Sequence, residues 1–189
     1  MNTQNEFTPK ESLDVITSMI QQAKGNMQKN SFYFLLWGWT IAIANLGVFL
    51  LLKFTEVSNP YQMFFITIVA AIASIIYGIR QGREATVSTH LDSIYKWVWM
   101  GFGATCFIFW IFGKQIGWQL NPVIITLCAV PTFTSGALLK FKPLMFGGIA
   151  FWILGALCFL SNYETQFLLA AMAVTIGYII PGYLLKRSE

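Results

Sequence analysis

The chain has 189 residues, 56% of them hydrophobic and only 11% charged, with 12 basic and 8 acidic side chains and a formal net charge of +4. A soluble domain of that length needs more polar surface than this, and every charged residue falls outside six long apolar runs. Composition therefore excludes an ordinary water-soluble enzyme and predicts an all-α polytopic membrane protein: six transmembrane helices preceded by one amphipathic cytoplasmic helix.

The first element is a polar arm, residues 1–30. Its opening residues lack the apolar core and cleavage site of a secretory signal, so the first span is expected to drive insertion. Thr8-Pro9-Lys10-Glu11 has the form of a capping box, with Pro9 suited to the first helical turn. Leu13, Ile16, Met19, Ile20, Ala23 and Met27 then recur at steps of three and four, which predicts an amphipathic helix over about residues 9 to 28. Gly25-Asn26 or Asn30-Ser31 supplies a point for a bend before the first span. The stripe reads in two ways, as a helix lying on membrane lipid or as a docking face for a protein partner or a second copy. The polar face mixes Lys10 and Lys24 with Glu11 and Asp14, where interfacial helices are usually strongly basic. Leu13, Ile16, Met19 and Ile20 are the contact candidates.

Beyond residue 30 lies a single transmembrane domain, residues 31–189. Its expected spans are Phe32–Leu52, Met63–Ile79, Val98–Gly113, Pro122–Leu139, Leu144–Leu160 and Phe167–Leu185. Each is roughly 16 to 21 residues, near the ~20 a helix needs to cross the hydrocarbon core. Lys10, Lys24, Lys29, Arg80, Arg83, Lys96, Lys140, Lys142, Lys186 and Arg187 fall on one side of this layout, against Lys53 and Lys114 on the other. That asymmetry predicts an inner or plasma membrane location with both termini cytoplasmic. It also gives the basic residues a role in topology, and nucleic acid is not an expected partner.

Trp37, Trp39, Tyr77, Tyr95, Trp97, Trp99 and Tyr183 cluster at the predicted inner boundary, and Tyr61, Trp118 and Tyr163 at the outer one, as an aromatic belt would. In the first span, Asn45 carries an amide that one helix cannot satisfy, so a bond to a neighbouring helix is expected, or a place in a polar cavity. In the second span, Ala70, Ser74, Gly78 and Gly82 form a small-residue stripe for close helix approach, within the chain or between copies. The connection 80–97 holds Thr89-His90-Leu91-Asp92. Ser88 or Thr89 is expected to cap a lead-in to the third span, and His90 is a partner-contact candidate because its charge changes near neutral pH.

Pro131 in the fourth span and Pro181 in the sixth each remove one helical hydrogen bond. The stretch around Pro131, with Cys128, Thr132, Thr134 and Ser135, is the best candidate for a kinked, polar-lined element. Asn45, Thr105, Cys128, Thr132 and Thr134 are the cavity candidates. Even spans end on a glycine and a basic residue (Gly78 and Arg80, Gly136 and Lys140, Gly182 and Lys186), and odd spans open on an aromatic or Met before glycine (Gly38, Gly101, Gly147). The pattern reads either as three parallel hairpin repeats or as the ordinary frequency of glycine and basic residues at span ends.

No Asp, Glu, Lys, Arg or His falls inside a span, which argues against proton relays and ion-coupled sites. None of the metalloprotease, serine hydrolase or phosphate-loop motifs occurs. Cys106, Cys128 and Cys158 lie in spans without paired spacing and read as packing residues rather than disulfides or metal ligands. No catalytic activity, cofactor or metal is expected. The functional expectation is a non-catalytic scaffold or signalling partner that presents a cytoplasmic surface. The alternative is a channel or facilitator for a small neutral or apolar solute.

Overall fold

In a computed structural model, the backbone is described for residues 9–84 and 90–187, and side-chain environments for 31–83 and 93–187. These residues form helices and short connections, with no strand among them. Six segments are long and apolar enough to cross a membrane: Ser31–Phe54, Pro60–Arg83, Ser93–Ile111, Gly113–Leu138, Lys142–Leu160 and Tyr163–Arg187. Each contains or closely overlaps an expected span.

Helix α1 runs unbroken over Pro9–Phe54, 46 residues. The expected bend at Gly25-Asn26 or Asn30-Ser31 is absent. A lone glycine costs a helix only about 1 kcal/mol, and Gln21, Gln22, Ala23, Lys24, Met27 and Gln28 around it are good or tolerable helix formers. The 22 residues from Pro9 to Asn30 therefore extend α1 by roughly 33 Å beyond the first span at 1.5 Å per residue. The capping contribution of Thr8 and the surroundings of Leu13, Ile16, Met19 and Ile20 lie outside the described residues.

A 3₁₀ turn over Pro60–Phe65, opened by proline, leads into α2 (Ile66–Glu84). Helix α3 covers His90–Ile111, so the lead-in and the third span are one helix, begun at His90. The caps Ser88 and Thr89 and the side chains of His90 and Asp92 lie outside the described residues. A helical turn, α4 (Gly113–Ile116), and a 3₁₀ turn at Gly117–Gln119 fill the connection to α5 (Leu120–Leu138). Gly117 takes φ +67°, a conformation that glycine reaches without strain.

The α5–α6 turn is tight, as Lys140-Phe141-Lys142-Pro143 suggests. The Phe141 amide donates to the Gly136 carbonyl at 2.8 Å and the Lys140 amide to Ala137 at 3.2 Å, while Lys140 adopts φ 52°. That pair of bonds around a left-handed residue is a Schellman closure, here without the usual glycine. Helix α6 (Lys142–Leu160) follows, and then α7 (Tyr163–Val174), a π-helical segment Thr175–Ile179, and α8 (Ile180–Arg187) continue as one span.

The two internal prolines behave differently. Helix α5 passes through Pro131 without a break. Ahead of Pro181 the chain widens to the π-helical turn, which relieves the collision of the proline ring with the carbonyl four residues earlier, that of Gly177. The displaced Gly177 carbonyl packs on Gly147, where an added Cβ would sit 2.8 Å from it.

Packing is unequal around the bundle. Of the most apolar 18-residue stretch of each span, 56% is buried in the last, 44% in the one containing α5, but only 6% in that containing α2 and none in α3. The core forms between α1, α5, α6 and α7, from Phe34, Ile125, Cys128, Ala129, Leu144, Phe151, Ala170, Val174 and Tyr178. Helices α2 and α3 flank it. The small stripe of α2 faces α1: Ala70 is buried, Ser74 bonds Trp37, and Gly78 lies against the Tyr33 hydroxyl, while Gly82 is open.

Candidate functional site

The centre of the bundle is an aromatic cluster built on Tyr178, the fourth residue of the π-helical segment. Its ring meets Phe151 edge-on at 4.8 Å, Phe34 at 5.7 Å and Trp99 at 6.3 Å. Trp99 also contacts Phe34 at 5.9 Å, Phe102 at 5.6 Å and Tyr95 at 6.2 Å. Rings from α1, α3, α6 and the last span thus interlock at one level, a geometry worth about 0.5–1.5 kcal/mol per pair beyond area.

Three indoles act as clips between helices. Trp37 Nε1 donates to Ser74 Oγ at 3.0 Å, joining α1 to α2. Trp99 Nε1 donates to Ser135 Oγ at 3.0 Å, joining α3 to α5. Trp39 Nε1 donates to the Tyr183 hydroxyl at 3.3 Å, joining α1 to α8. These residues were expected only to set depth in an aromatic belt. Trp97, 64% exposed, stands free for that role, whereas Trp37 and Trp99 are half-buried and bonded. Nothing in the spacing singles out Ser74 and Ser135 as their partners. The available signal is a lone serine hydroxyl in the second and in the fourth span, near the level of a tryptophan in the preceding odd span.

The cavity candidates are dispersed. Thr132 is fully buried and donates to the Cys128 carbonyl of its own helix at 2.6 Å. Thr105 donates to Gly101 at 2.9 Å on α3, and Thr134 is half-buried on α5. Asn45 is 1% exposed, but its Nδ2 donates to the Ile41 carbonyl of its own helix at 2.9 Å. The expected bond to a neighbouring helix is not made. Gly38 against Ile179 and Gly182 against Leu35 set α1 antiparallel to the last span. That register places Asn45 beside the stretch holding Ala170, Ala171 and Ala173, whose side chains offer no acceptor or donor.

Buried polar atoms without a partner among the described residues include Asn45 Oδ1, Thr126 Oγ1, Tyr178 OH and both amide atoms of Gln166. Gln166, fully buried in the first turns of α7, escaped notice because it stands at a span end, where glutamine is ordinary. Its backbone carbonyl accepts from Cys158 Sγ at 3.6 Å, across α6 and α7. A buried polar group lacking a bond costs about 1–3 kcal/mol, and an apolar residue of like shape removes that cost. Gln166→Met and Asn45→Leu are therefore each expected to hold or raise the thermal midpoint in detergent. A fall of several degrees in either would show that the amide is bonded in the working protein.

Of the concavities on the surface, two can be placed. One, about 390 Å³, is lined by Trp118, Ser161, Asn162 and Tyr163 at the end opposite the termini. The other, about 500 Å³, is a groove along the outer side of α1. Neither is lined by Asn45, Thr105, Cys128, Thr132 or Thr134.

Comparison with protein-family models, curated proteins and solved structures finds no match. What defines the class is the chain's own geometry: an all-helical protein with six helices long and apolar enough to span a membrane.

Proposed function

We propose that this chain is a non-catalytic scaffold or signalling partner embedded in the inner or plasma membrane, with both termini and the 80–97 connection on the cytoplasmic side. The observation that carries this reading is the filled interior. Phe34, Ile125, Leu144, Phe151, Val174 and Tyr178 pack as one buried cluster, and both concavities lie at its margin. A packed interior of that kind favours function at the faces outside it. Helix α1 supports the same reading, because it carries the arm as an unbroken helical continuation of the first span. A partner or second copy that engaged Leu13, Ile16, Met19 and Ile20 would act directly on the helix that bears Phe34, Trp37 and Trp39. His90, at the start of α3, stands on the same side. Orientation rests on the distribution of Lys and Arg.

A facilitator is the second reading, and the unpaired groups of Asn45, Thr126, Tyr178 and Gln166 favour it, since they would solvate a small neutral molecule. In the hairpin-repeat reading, the indole–serine clips tie the first two odd spans to the even span that follows each, and Gly147 against Gly177 joins the third pair.

Cysteine labelling separates scaffold from facilitator. Cys128 and Cys158 are buried, and Cys106 is half-buried on the peripheral α3. A scaffold with a dry interior protects Cys128 and Cys158 from a membrane-impermeant maleimide in intact cells and inverted vesicles, until the protein is denatured. Labelling of native Cys128 from either side would mean that water reaches the middle of the bundle, and the facilitator would replace the scaffold.

A further inference from the structure

The groove on α1 has a depth and a polarity that fit one membrane component. Phe32, Leu36, Trp39 and Ile43 of α1 line it at steps of three and four, with Ile66 of α2 at its far end and Lys186 of α8 at its mouth. From Ser31 to Ile43 it rises roughly 18 Å along the helix. That covers half of the span Ser31–Phe54, and so one leaflet of a hydrocarbon core about 30 Å thick. Apart from Ser31 at its start, the polar groups of its wall are turned to the protein: the Thr40 hydroxyl donates to the Leu36 carbonyl at 2.7 Å, and the Trp39 indole to Tyr183. The exposed Lys186 ammonium has no acidic partner among the described residues, and Arg187 follows it.

The groove is narrow and open, about 500 Å³ over that length. A flexible hydrocarbon chain suits it, and a cation at the mouth of an interhelical groove on the cytoplasmic side selects an anionic head group. We propose that this groove binds one anionic phospholipid of the cytoplasmic leaflet, with an acyl chain along α1 and its phosphate on Lys186. The inference rests on the membrane location and orientation proposed above.

The test uses full-length protein extracted from membranes, so that failure of membrane insertion is already visible as protein recovered without detergent. Native mass spectrometry from micelles containing equal phosphatidylglycerol and phosphatidylcholine is expected to retain a single phosphatidylglycerol. Lys186→Gln should lower that retention about fivefold, the ratio that corresponds to ~1 kcal/mol for one lysine near an anionic surface. Ile43→Trp, which fills the deep end, should lower retention of both lipids. Arg83→Gln, a cation at the same side but outside the groove, should leave retention unchanged. Thermal midpoints of the lipid-free variants identify any that fail to fold, and Leu36→Trp then replaces Ile43→Trp. Equal retention of the two lipids, or no loss in Lys186→Gln, overturns the proposal.

Discussion

Replacing Trp99 with alanine is expected to loosen α3 from the bundle and to lower stability in detergent by about 2–3 kcal/mol. A buried tryptophan truncated in a water-soluble core costs about 3–5 kcal/mol. Here the transfer term shrinks, because the freed surface meets acyl chains or detergent instead of water, and what is lost is packing and a hydrogen bond. The most apolar stretch of α3 has no buried residue, and Trp99, with Phe102 beside it, carries its packing on the core, reaching Phe34, Tyr178 and Ser135. Trp99→Phe keeps the ring but removes the donor, leaving the Ser135 hydroxyl, 1% exposed, without it; a loss of about 0.6–1.7 kcal/mol is expected. Ser135→Ala should match that loss, and the double variant should add little to it. Thermal midpoints read the series, and tryptic cleavage after the exposed Lys96 reads release of α3. An unchanged midpoint in Trp99→Ala, or fully additive losses in the double variant, would remove Trp99 from the role of anchor.

How much of this arrangement was legible beforehand follows from what a bilayer does to sequence pattern. The number of spans was readable, and their limits to within about five residues except at the start of the fourth, which begins at Gly113 rather than Pro122, because charge is excluded from the hydrocarbon depth wherever it lacks a partner. The helical form of the arm was readable from Pro9 onward, and its continuity with the first span was not, since Gly25 and Asn26 are weak breakers rather than stops. Which face of each span turns inward was hidden. In water, burial separates apolar from polar residues around a helix. In lipid both faces are apolar, so α3 with almost no buried surface and α6 with Leu144, Phe151 and Cys158 fully buried read alike. The same loss of contrast hid Ser74 and Ser135 as partners of Trp37 and Trp99. It also left Asn45 looking like a bridge, although the carbonyl of Ile41 on its own helix was the nearer acceptor.

Glycine makes that blindness testable, because the sign of one substitution should reverse between two spans. Gly148 of α6 lies on the backbone of α5, and an added Cβ would stand 2.8 Å from Phe133 Cα and N. Neither atom can yield by a rotamer change, so the helices themselves must separate. Gly155 meets the backbone of Thr126 and Gly136 that of Met145 in the same interface, which is why a shift at one level is resisted at the others. Gly148→Ala is therefore expected to lower stability by about 1–3 kcal/mol, and Gly148→Val by more. Gly103 of α3 has nothing within 4 Å of such a Cβ. There alanine only relieves the conformational cost of glycine in a helix, and Gly103→Ala is expected to raise stability by about 0.5–1 kcal/mol. Thermal midpoints of the two alanine variants in one detergent decide the matter. Opposite signs place α6 in the packed core and α3 at its edge. A loss in both would put a neighbour against Gly103, either a second copy of the chain or a closer approach of α3, and the peripheral position of α3 would then be wrong.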